Sequence, residues 1–156
     1  MGFAARNLRY FVNSCRRLSW NAEMNIQTPR KNTIHFVFNK DTAKNLLSIF
    51  NKKSGAIFSG RQQIKEVDFF EADDDYIKIT GRMSKKITMY LSAETFRHGV
   101  WMLEYYLLNS YFNVAEFCEL EVIENQENPS GVVVNPKNRH MVQIYFLNED
   151  EPARVG

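Results

Sequence analysis

The chain has 156 residues and a formal net charge of +2, and 44% of its residues are hydrophobic and 13% aromatic. This apolar content is too high for an intrinsically disordered chain and is sufficient for the core of a single domain. No apolar run approaches the 18 residues that a membrane-spanning helix requires, and the three histidines and two cysteines do not have the spacing of a metal site.

The charge is unevenly distributed along the chain. Residues 1–32 carry six basic residues and one acidic residue, whereas the rest of the chain carries 14 basic and 17 acidic residues. Within the basic part, residues 1–22 contain no acid and place Leu8, Phe11 and Val12 on one helical face. Such a basic amphipathic helix is typical of mitochondrial targeting segments, and equally of a surface helix that docks on the domain or on a partner. We expect the mitochondrial matrix or another reducing compartment, because the two cysteines form no disulfide framework.

Composition also predicts the domain boundaries. Residues 23–32 are polar, contain Pro29 and indicate a linker. Residues 33–148 combine apolar periodicity with turn signals, so they predict a single α+β domain. The last residues, 149–156, are acidic and then irregular, which is typical of a tail.

The predicted elements alternate between strands and two main helices. Residues 33–38 alternate apolar and polar side chains and predict a strand, after which Asn39 caps a helix that extends to about Lys53. The same transition recurs at residues 86–91, where Ser92 caps a helix over residues 92–110. Further strands are predicted at residues 56–59, 63–72, 76–81, 116–124, 131–134 and 141–147.

These two strand-to-helix transitions form an internal repeat. Ile34–Phe50 and Ile87–Leu103 share the order of apolar strand positions, capping residue, acid, threonine and base, at an offset of 53 residues. Eight strands and two helices correspond to two β-β-β-β-α units in permuted order. We therefore predict mostly antiparallel sheets whose apolar faces are covered by the helices and whose other faces are exposed.

Residues 67–106 resemble one repeat of the PUR-type nucleic-acid-binding proteins, and the double plan is similar to that of the Whirly-like proteins. The matching pieces are Tyr76-Ile77-Lys78-Ile79, Lys85-Lys86-Ile87-Thr88-Met89 and Phe96-Arg97. The resemblance implies that single-stranded RNA or DNA binds on the exposed sheet face, with RNA as the first expectation.

The residues themselves are compatible with this function. Alternation and the repeat register place aromatic and basic side chains together on the outward face, where bases stack for roughly 1–3 kcal/mol each. The same residue types also stabilise ordinary solvent-facing strands through cross-strand pairs. The candidate nucleic-acid-binding residues are Tyr76, Lys78, Arg82, Lys85, Lys86, Tyr90, His35 and Tyr145.

Catalysis is not predicted, because neither His98 near Glu94 nor the acidic triplet Asp73–Asp75 comes with a nucleophile, a phosphate loop or metal-ligand spacing. We expect no cofactor and no metal. The alternative to nucleic-acid binding is a non-catalytic structural or accessory subunit of a larger, mitochondrial protein assembly. The helix at residues 92–110 is apolar nearly all round, so it predicts burial on more than one side, against the N-terminal segment, a protein partner or a second copy. A continuous basic-aromatic sheet face would favour nucleic acid, and an acidic face would favour the subunit.

Overall fold

The computed structural model describes residues 23–30, 32–59, 64–81, 85–123 and 140–149. In this part of the chain the predicted α+β class is confirmed, with two helices and eight strands. The N-terminal basic segment 1–22, the predicted strand 131–134, Arg82 and most of the predicted tail lie outside the described residues. The elements are β1 Asn25–Gln27, β2 Thr33–Phe38, α1 Lys40–Lys52, β3 Ser54–Phe58, β4 Ile64–Glu71, β5 Tyr76–Thr80, β6 Lys85–Leu91, α2 Ala93–Asn109, β7 Glu116–Val122 and β8 His140–Asn148.

Both helices begin at the predicted capping residues. The Asn39 side chain accepts a hydrogen bond from the Thr42 backbone N–H at 2.9 Å, and the Thr42 hydroxyl accepts one from the Asn39 N–H at 3.0 Å. Ser92 Oγ accepts from the Thr95 N–H at 3.2 Å. These bonds satisfy backbone donors that the first helical turn leaves unpaired, so each strand can pass directly into a helix.

All eight strands belong to one sheet with the order β1-β2-β8-β7-β5-β6-β4-β3. The prediction of mostly antiparallel sheets is wrong in part, because three of the seven strand pairs are parallel: β2 with β8, β4 with β6, and β5 with β7. Each parallel pair joins strands that are not consecutive along the chain, whereas the four pairs of consecutive strands are antiparallel.

The repeat is two β-β-α-β-β units, one from β1 to β4 around α1 and one from β5 to β8 around α2. The last strand of each unit lies parallel to the second strand of the other unit, which interlocks the two halves. The first unit begins with β1, inside the predicted linker 23–32, where Met24 and Ile26 are buried. The predicted repeat of a strand followed by a helix is therefore present. Each helix lies in the middle of its unit, whereas the predicted β-β-β-β-α units place it at the end.

The sheet curls into a barrel-like shape. The Met24 N–H donates to the Phe58 carbonyl at 2.9 Å and so connects the two edge strands, β1 and β3. The connections between strands and helices gather at one end of this barrel, which we call the helix end. The strand ends that lead from β1 to β2, from β3 to β4, from β5 to β6 and from β7 to β8 lie together at the other end, which we call the turn end.

A cluster of phenylalanines fills the helix end. The Phe50 ring of α1 lies 5.2 Å from the rings of Phe69 and Phe96 and 5.6 Å from the ring of Phe117, measured between centroids. Gly99 of α2 lies directly against the Phe50 ring and leaves no space for a Cβ atom. The two helices therefore share one aromatic core with the sheet. None of the helices in the described part of the chain is long and apolar enough to cross a membrane.

Candidate functional site

Strands β5 and β6 bring together four of the predicted binding residues. In the antiparallel register Tyr76 lies opposite Tyr90, and Thr80 lies opposite Lys86. Between these pairs, Lys78 shares the same face of the sheet. The alternating residues Ile77, Ile87 and Met89 are buried on the other face. The sequence prediction of one apolar and one polar face is therefore confirmed for these two strands.

Three rings form a row across this face, which we call the aromatic ladder: Tyr76, Tyr90 and Phe70. Tyr76 and Tyr90 stack with centroids 4.4 Å apart and planes at 12°, and Phe70 stacks on Tyr90 at 5.8 Å and 27°. The Lys78 Nζ lies 5.5 Å from the centre of the Tyr90 ring. Phe70 is 45% exposed, so the ladder ends in a ring that is open to solvent.

Phe70 was not among the predicted residues. Its strand was predicted at 63–72, but Tyr90 and Phe70 meet only because β4 lies parallel to β6. A usable signal was present, because two successive strand residues must point to opposite faces. One of Phe69 and Phe70 therefore had to be outward, and the structure shows that Phe69 is buried and Phe70 exposed.

Lys86 is on the predicted face, but carboxylates neutralise its charge. Its Nζ lies 3.0 Å from Asp68 Oδ2 and 3.7 Å from Glu66 Oε2. The hydrogen bond and the negative charge of Asp68 raise the pKa of Lys86. The hydrogen bond to Asp68 likewise raises the pKa of Glu66. A phosphate at Lys86 would have to compete with two carboxylates that are already in place.

Lys85 lies apart from the other predicted residues of this hairpin. Lys85 lies opposite Ile64 in the β4–β6 register and lines a cavity inside the barrel. Successive side chains of a strand point to opposite faces, so Lys85 and Lys86 cannot both reach the outer surface of β6. Arg82 lies outside the described residues.

His35 and Tyr145 form a separate pair on β2 and β8. Their rings meet edge to face with centroids 5.3 Å apart. His35 is only 8% exposed, so the prediction that it offers an outward binding surface is wrong. Burial, and then the positive charge of Arg30, lower the pKa of His35. A neutral, covered imidazole packs the barrel wall rather than attracting a phosphate.

An acidic strand separates this pair from the aromatic ladder. Strand β7 lies between β8 and β5, and its outward side chains are Glu116, Glu119 and Glu121. Glu116 lies opposite Tyr145, whereas Glu121 lies beside Tyr76. These two positions are roughly 16 Å apart along the strand at about 3.3 Å per residue. The predicted binding face is therefore not a continuous basic-aromatic surface.

Helix α2 presents a second candidate surface, which we call the α2 stripe: Trp101, Tyr105, Leu108 and Tyr111. Trp101 is 48% exposed, Leu108 85% and Tyr111 42%. The rings are in contact, since Trp101 and Tyr105 lie 5.8 Å apart and Tyr105 and Tyr111 lie 5.6 Å apart between centroids. The hydroxyls of Tyr105 and Tyr111 are 3.0 Å apart, and this hydrogen bond raises the pKa of Tyr105.

The α2 stripe is not part of the core. The opposite side of α2 is buried against α1 and the sheet through Phe96, Gly99, Met102, Leu103 and Tyr106. The sequence predicted a helix buried on more than one side, because its second half is apolar nearly all round. Among the described residues only one side of α2 is covered, and none of them packs over the α2 stripe from outside.

No cluster of three or more histidine, cysteine, aspartate or glutamate side chains among the described residues is arranged to hold a metal ion. No family model, curated protein or solved structure matches this chain.

Proposed function

We propose that this chain is a non-catalytic subunit that binds another protein through the α2 stripe. The observation that carries the proposal is the row of contacting rings Trp101, Tyr105 and Tyr111, with the exposed Leu108, along a helix whose opposite side is well packed. Contiguous exposed apolar patches on a folded domain mark interaction sites, whereas single exposed apolar residues are common and require no explanation.

The composition of the stripe is that of an interface centre with a polar rim. Trp101, Tyr105 and Tyr111 are of the residue types that most often dominate binding energies in protein interfaces. The flanking positions Arg97 and Glu104 are charged and exposed. Apolar side chains in the middle with charged side chains at the edge would let a partner exclude water from the rings and keep its own charges solvated.

The same geometry favours a different protein over a second copy. In a two-fold contact between identical stripes, residue i of one copy meets residue j of the other and j meets i, so a residue lies near its own counterpart only close to the symmetry axis. Glu104 lies at the edge of the stripe and about midway along its length, so an axis through the middle of the stripe would bring it close to the partner copy's Glu104. Like charges placed together at an interface are unfavourable.

The negative charge on the outer sheet face also supports a protein-binding subunit over a nucleic-acid-binding protein. Five carboxylates surround or interrupt the predicted nucleic-acid site, namely Glu66, Asp68, Glu116, Glu119 and Glu121. Two of them pair with Lys86, one of the two lysines beside the aromatic ladder. Affinity for nucleic acid depends mainly on free cations, so this surface is a poor match for a phosphate backbone.

Site-specific photo-crosslinking tests this function. The photoreactive residue p-benzoylphenylalanine replaces Trp101 in the full chain, and a matched control carries it at Ser48, the exposed position of α1 that corresponds to Trp101 at the 53-residue offset. Light is applied in the native cells, the adduct is identified by mass spectrometry, and the identified protein is purified to measure its dissociation constant with the unmodified chain.

We expect one discrete adduct at position 101, none at 48, and direct binding of the purified partner. Loss of that binding in Leu108→Asp would connect the affinity to the α2 stripe. Equal adducts at both positions, or no adduct at 101, would contradict the proposal. An adduct of twice the chain's mass would replace the hetero-partner with a second copy.

A second candidate function is binding of single-stranded nucleic acid, RNA in the first instance, at the aromatic ladder. The observation that favours it is the exposed Phe70 ring at the end of the stack, with Lys78 on the neighbouring strand. Ser54 lies opposite Phe70 on β3 and is small and exposed, so an unpaired base has room to extend the stack. Stacking, together with Lys78 as the one lysine beside the ladder that pairs with no carboxylate among the described residues, would give weak binding compared with a continuous basic groove.

Fluorescence anisotropy of labelled single-stranded RNA and DNA with the full chain tests the second candidate. Binding that weakens with salt and is lost in both Phe70→Ser and Lys78→Gln, but not in the control Lys44→Gln on α1, would support it. Binding that all three variants retain would place any nucleic-acid site elsewhere.

Location in the mitochondrial matrix stays a prediction from residues 1–22, and it is compatible with the proposed subunit. Fusion of this segment to a fluorescent protein tests it directly. Import of the fusion is expected, and loss of import is expected when Arg6, Arg9, Arg16 and Arg17 are replaced by glutamine.

A further inference from the structure

The turn end of the barrel contains a cavity of about 460 Å³. Its wall consists of branched aliphatic side chains from six of the eight strands, so the strands enclose it from most sides. These side chains are Ile34, Ile64, Ile79, Ile87, Val122 and Val142. A volume of this size lies within the range of small-molecule binding sites.

The wall of the cavity determines what kind of ligand body it can hold. The six aliphatic side chains offer no hydrogen-bonding group, and burying a polar group without a partner costs several kcal/mol. A ligand segment in contact with this wall must therefore be apolar. The Phe50 cluster closes the barrel at the helix end, so a ligand cannot enter the cavity from that side.

The rim of the cavity has a different character. The remaining lining residues among those described are Thr28, Pro29, Arg30, Asn32, Thr33 and Lys85. The charged ones are Arg30 and Lys85, both cationic, and no carboxylate is included in this described lining. An apolar wall with a cationic rim is complementary to a molecule that has an apolar chain and an anionic head group.

Backbone hydrogen bonds hold the rim in place. The Thr33 N–H donates to the Arg30 carbonyl at 3.3 Å, and the Gln143 N–H of β8 donates to the Asn32 carbonyl at 3.0 Å. Asn32 takes the left-handed conformation that asparagine tolerates, with φ at 64°. Lys85 is fixed as the first residue of β6, where it lies opposite Ile64. Both cations are thus carried by positioned backbone.

We propose that this cavity binds a small amphiphile with one apolar chain and an anionic head group, either a carboxylate or a phosphate. The chain lies against the aliphatic wall, and the head group lies at the rim with Arg30 and Lys85. The site is at the opposite end of the barrel from the helices and goes beyond the proposed binding of a protein partner, because neither surface contributes a residue to the other.

Isothermal titration calorimetry of the full chain with three probes tests the proposal: decanoate, decyl phosphate and the neutral decanol. We expect decanoate or decyl phosphate to bind at least tenfold more tightly than decanol. The tighter of the two anions identifies the head group. Absence of binding by all three probes, or equal binding of charged and neutral probes, would overturn the proposal.

Two sets of variants separate the wall from the rim. Ile79→Phe and Val122→Phe each enlarge a half-buried wall side chain and should weaken all three probes at least tenfold. The double variant Arg30→Gln/Lys85→Gln should lower the affinity for the anions to that for decanol. Undiminished anion binding in both wall variants, with the fold verified by circular dichroism, would place the binding elsewhere. Two independent wall positions are used, so that failure of one variant to fold leaves the test intact.

Discussion

Helices α1 and α2 occupy corresponding places in the two units, but their exposed sides differ in chemistry. At the 53-residue offset, Ser48 of α1 corresponds to Trp101 of α2, and Lys52 corresponds to Tyr105. Tyr105 is half-buried, and the other three residues are exposed. The opposite sides of both helices pack on the same aromatic core. Helix α1 occupies the corresponding position with polar residues on its exposed side, so the fold itself does not require the apolar side chains of the α2 stripe. The apolar residues of the stripe therefore indicate an interaction, and the following variants test that comparison.

The largest effect is expected on the buried sides of the helices. Phe50→Ala should reduce the free energy of unfolding by about 3–5 kcal/mol, because it removes a ring that contacts Phe69, Phe96 and Phe117. The corresponding residue of α2 is Leu103, and Leu103→Ala should cost about 2–5 kcal/mol. Urea unfolding of both variants measures this. A cost below 1 kcal/mol at either position would show that the two helices do not share one core.

Gly99→Ala should have the next largest effect. A Cβ atom at Gly99 would overlap the Phe50 ring, so we expect a loss of about 1–3 kcal/mol despite the better helix propensity of alanine. Leu46 of α1 corresponds to Gly99 of α2, so α1 has a large side chain at the position where α2 has none. In a Phe50→Leu background the cost of Gly99→Ala should fall. An unchanged cost in this double-mutant cycle would contradict the contact.

The N-terminal ends of the two helices differ in whether a residue from elsewhere in the fold stabilises them, and we expect this difference to contribute about 1–2 kcal/mol to the free energy of unfolding. The α1 cap is self-contained, whereas in α2 Asp75 adds to Ser92. Asp75 Oδ1 accepts from the Ser92 N–H at 2.7 Å, and its Oδ2 accepts from the Thr95 hydroxyl at 2.6 Å. Asp75→Ala should cost about 1–2 kcal/mol and loosen the start of α2 only. Hydrogen exchange would measure this, and equal loosening of α1 would contradict the assignment.

A smaller, pH-dependent difference is expected between corresponding strand positions. His35 of β2 corresponds to Thr88 of β6, and burial, then Arg30, lower the pKa of His35 from its ordinary value of 6.5. As the pH drops, the unfolded chain is protonated at this histidine at a higher pH than the folded chain. The free energy of unfolding should therefore be constant above about pH 6.5 and decrease as the pH drops below it. His35→Thr should flatten this dependence in thermal melts from pH 5 to 8. The same slope in the variant would assign it to another group.

The sequence predicted the elements that depend on local patterns. Period-2 alternation, the caps Asn39 and Ser92, and the offset repeat each determine a few neighbouring residues, and the structure confirms them. Sheet order depends on which distant strands meet, so the parallel pairing of β4 with β6 and the place of Phe70 could not be predicted. The short strand β1 was hidden because its Met24 and Ile26 stand among polar residues.

The functional surface was harder to predict for the same reason. Tyr76, Lys78, Lys86 and Tyr90 come together as expected because they lie on one hairpin. The acidic strand β7 between Tyr145 and Tyr76 depends on long-range pairing and divides the predicted face. The apolar pattern of α2 predicted that the helix is buried on more than one side. It could not show that, among the described residues, the second side is exposed.

The most direct test of the α2 stripe is the dissociation constant of the photo-crosslinked partner with two matched charge variants. Leu108→Asp places a carboxylate in the stripe, and Ser48→Asp places one at the corresponding exposed side of α1. Both positions are exposed, so both variants should unfold within about 0.5 kcal/mol of the unaltered chain. We predict that Leu108→Asp raises the dissociation constant at least a hundredfold and that Ser48→Asp leaves it unchanged. Equal dissociation constants for the two variants would contradict the α2 stripe as the docking surface.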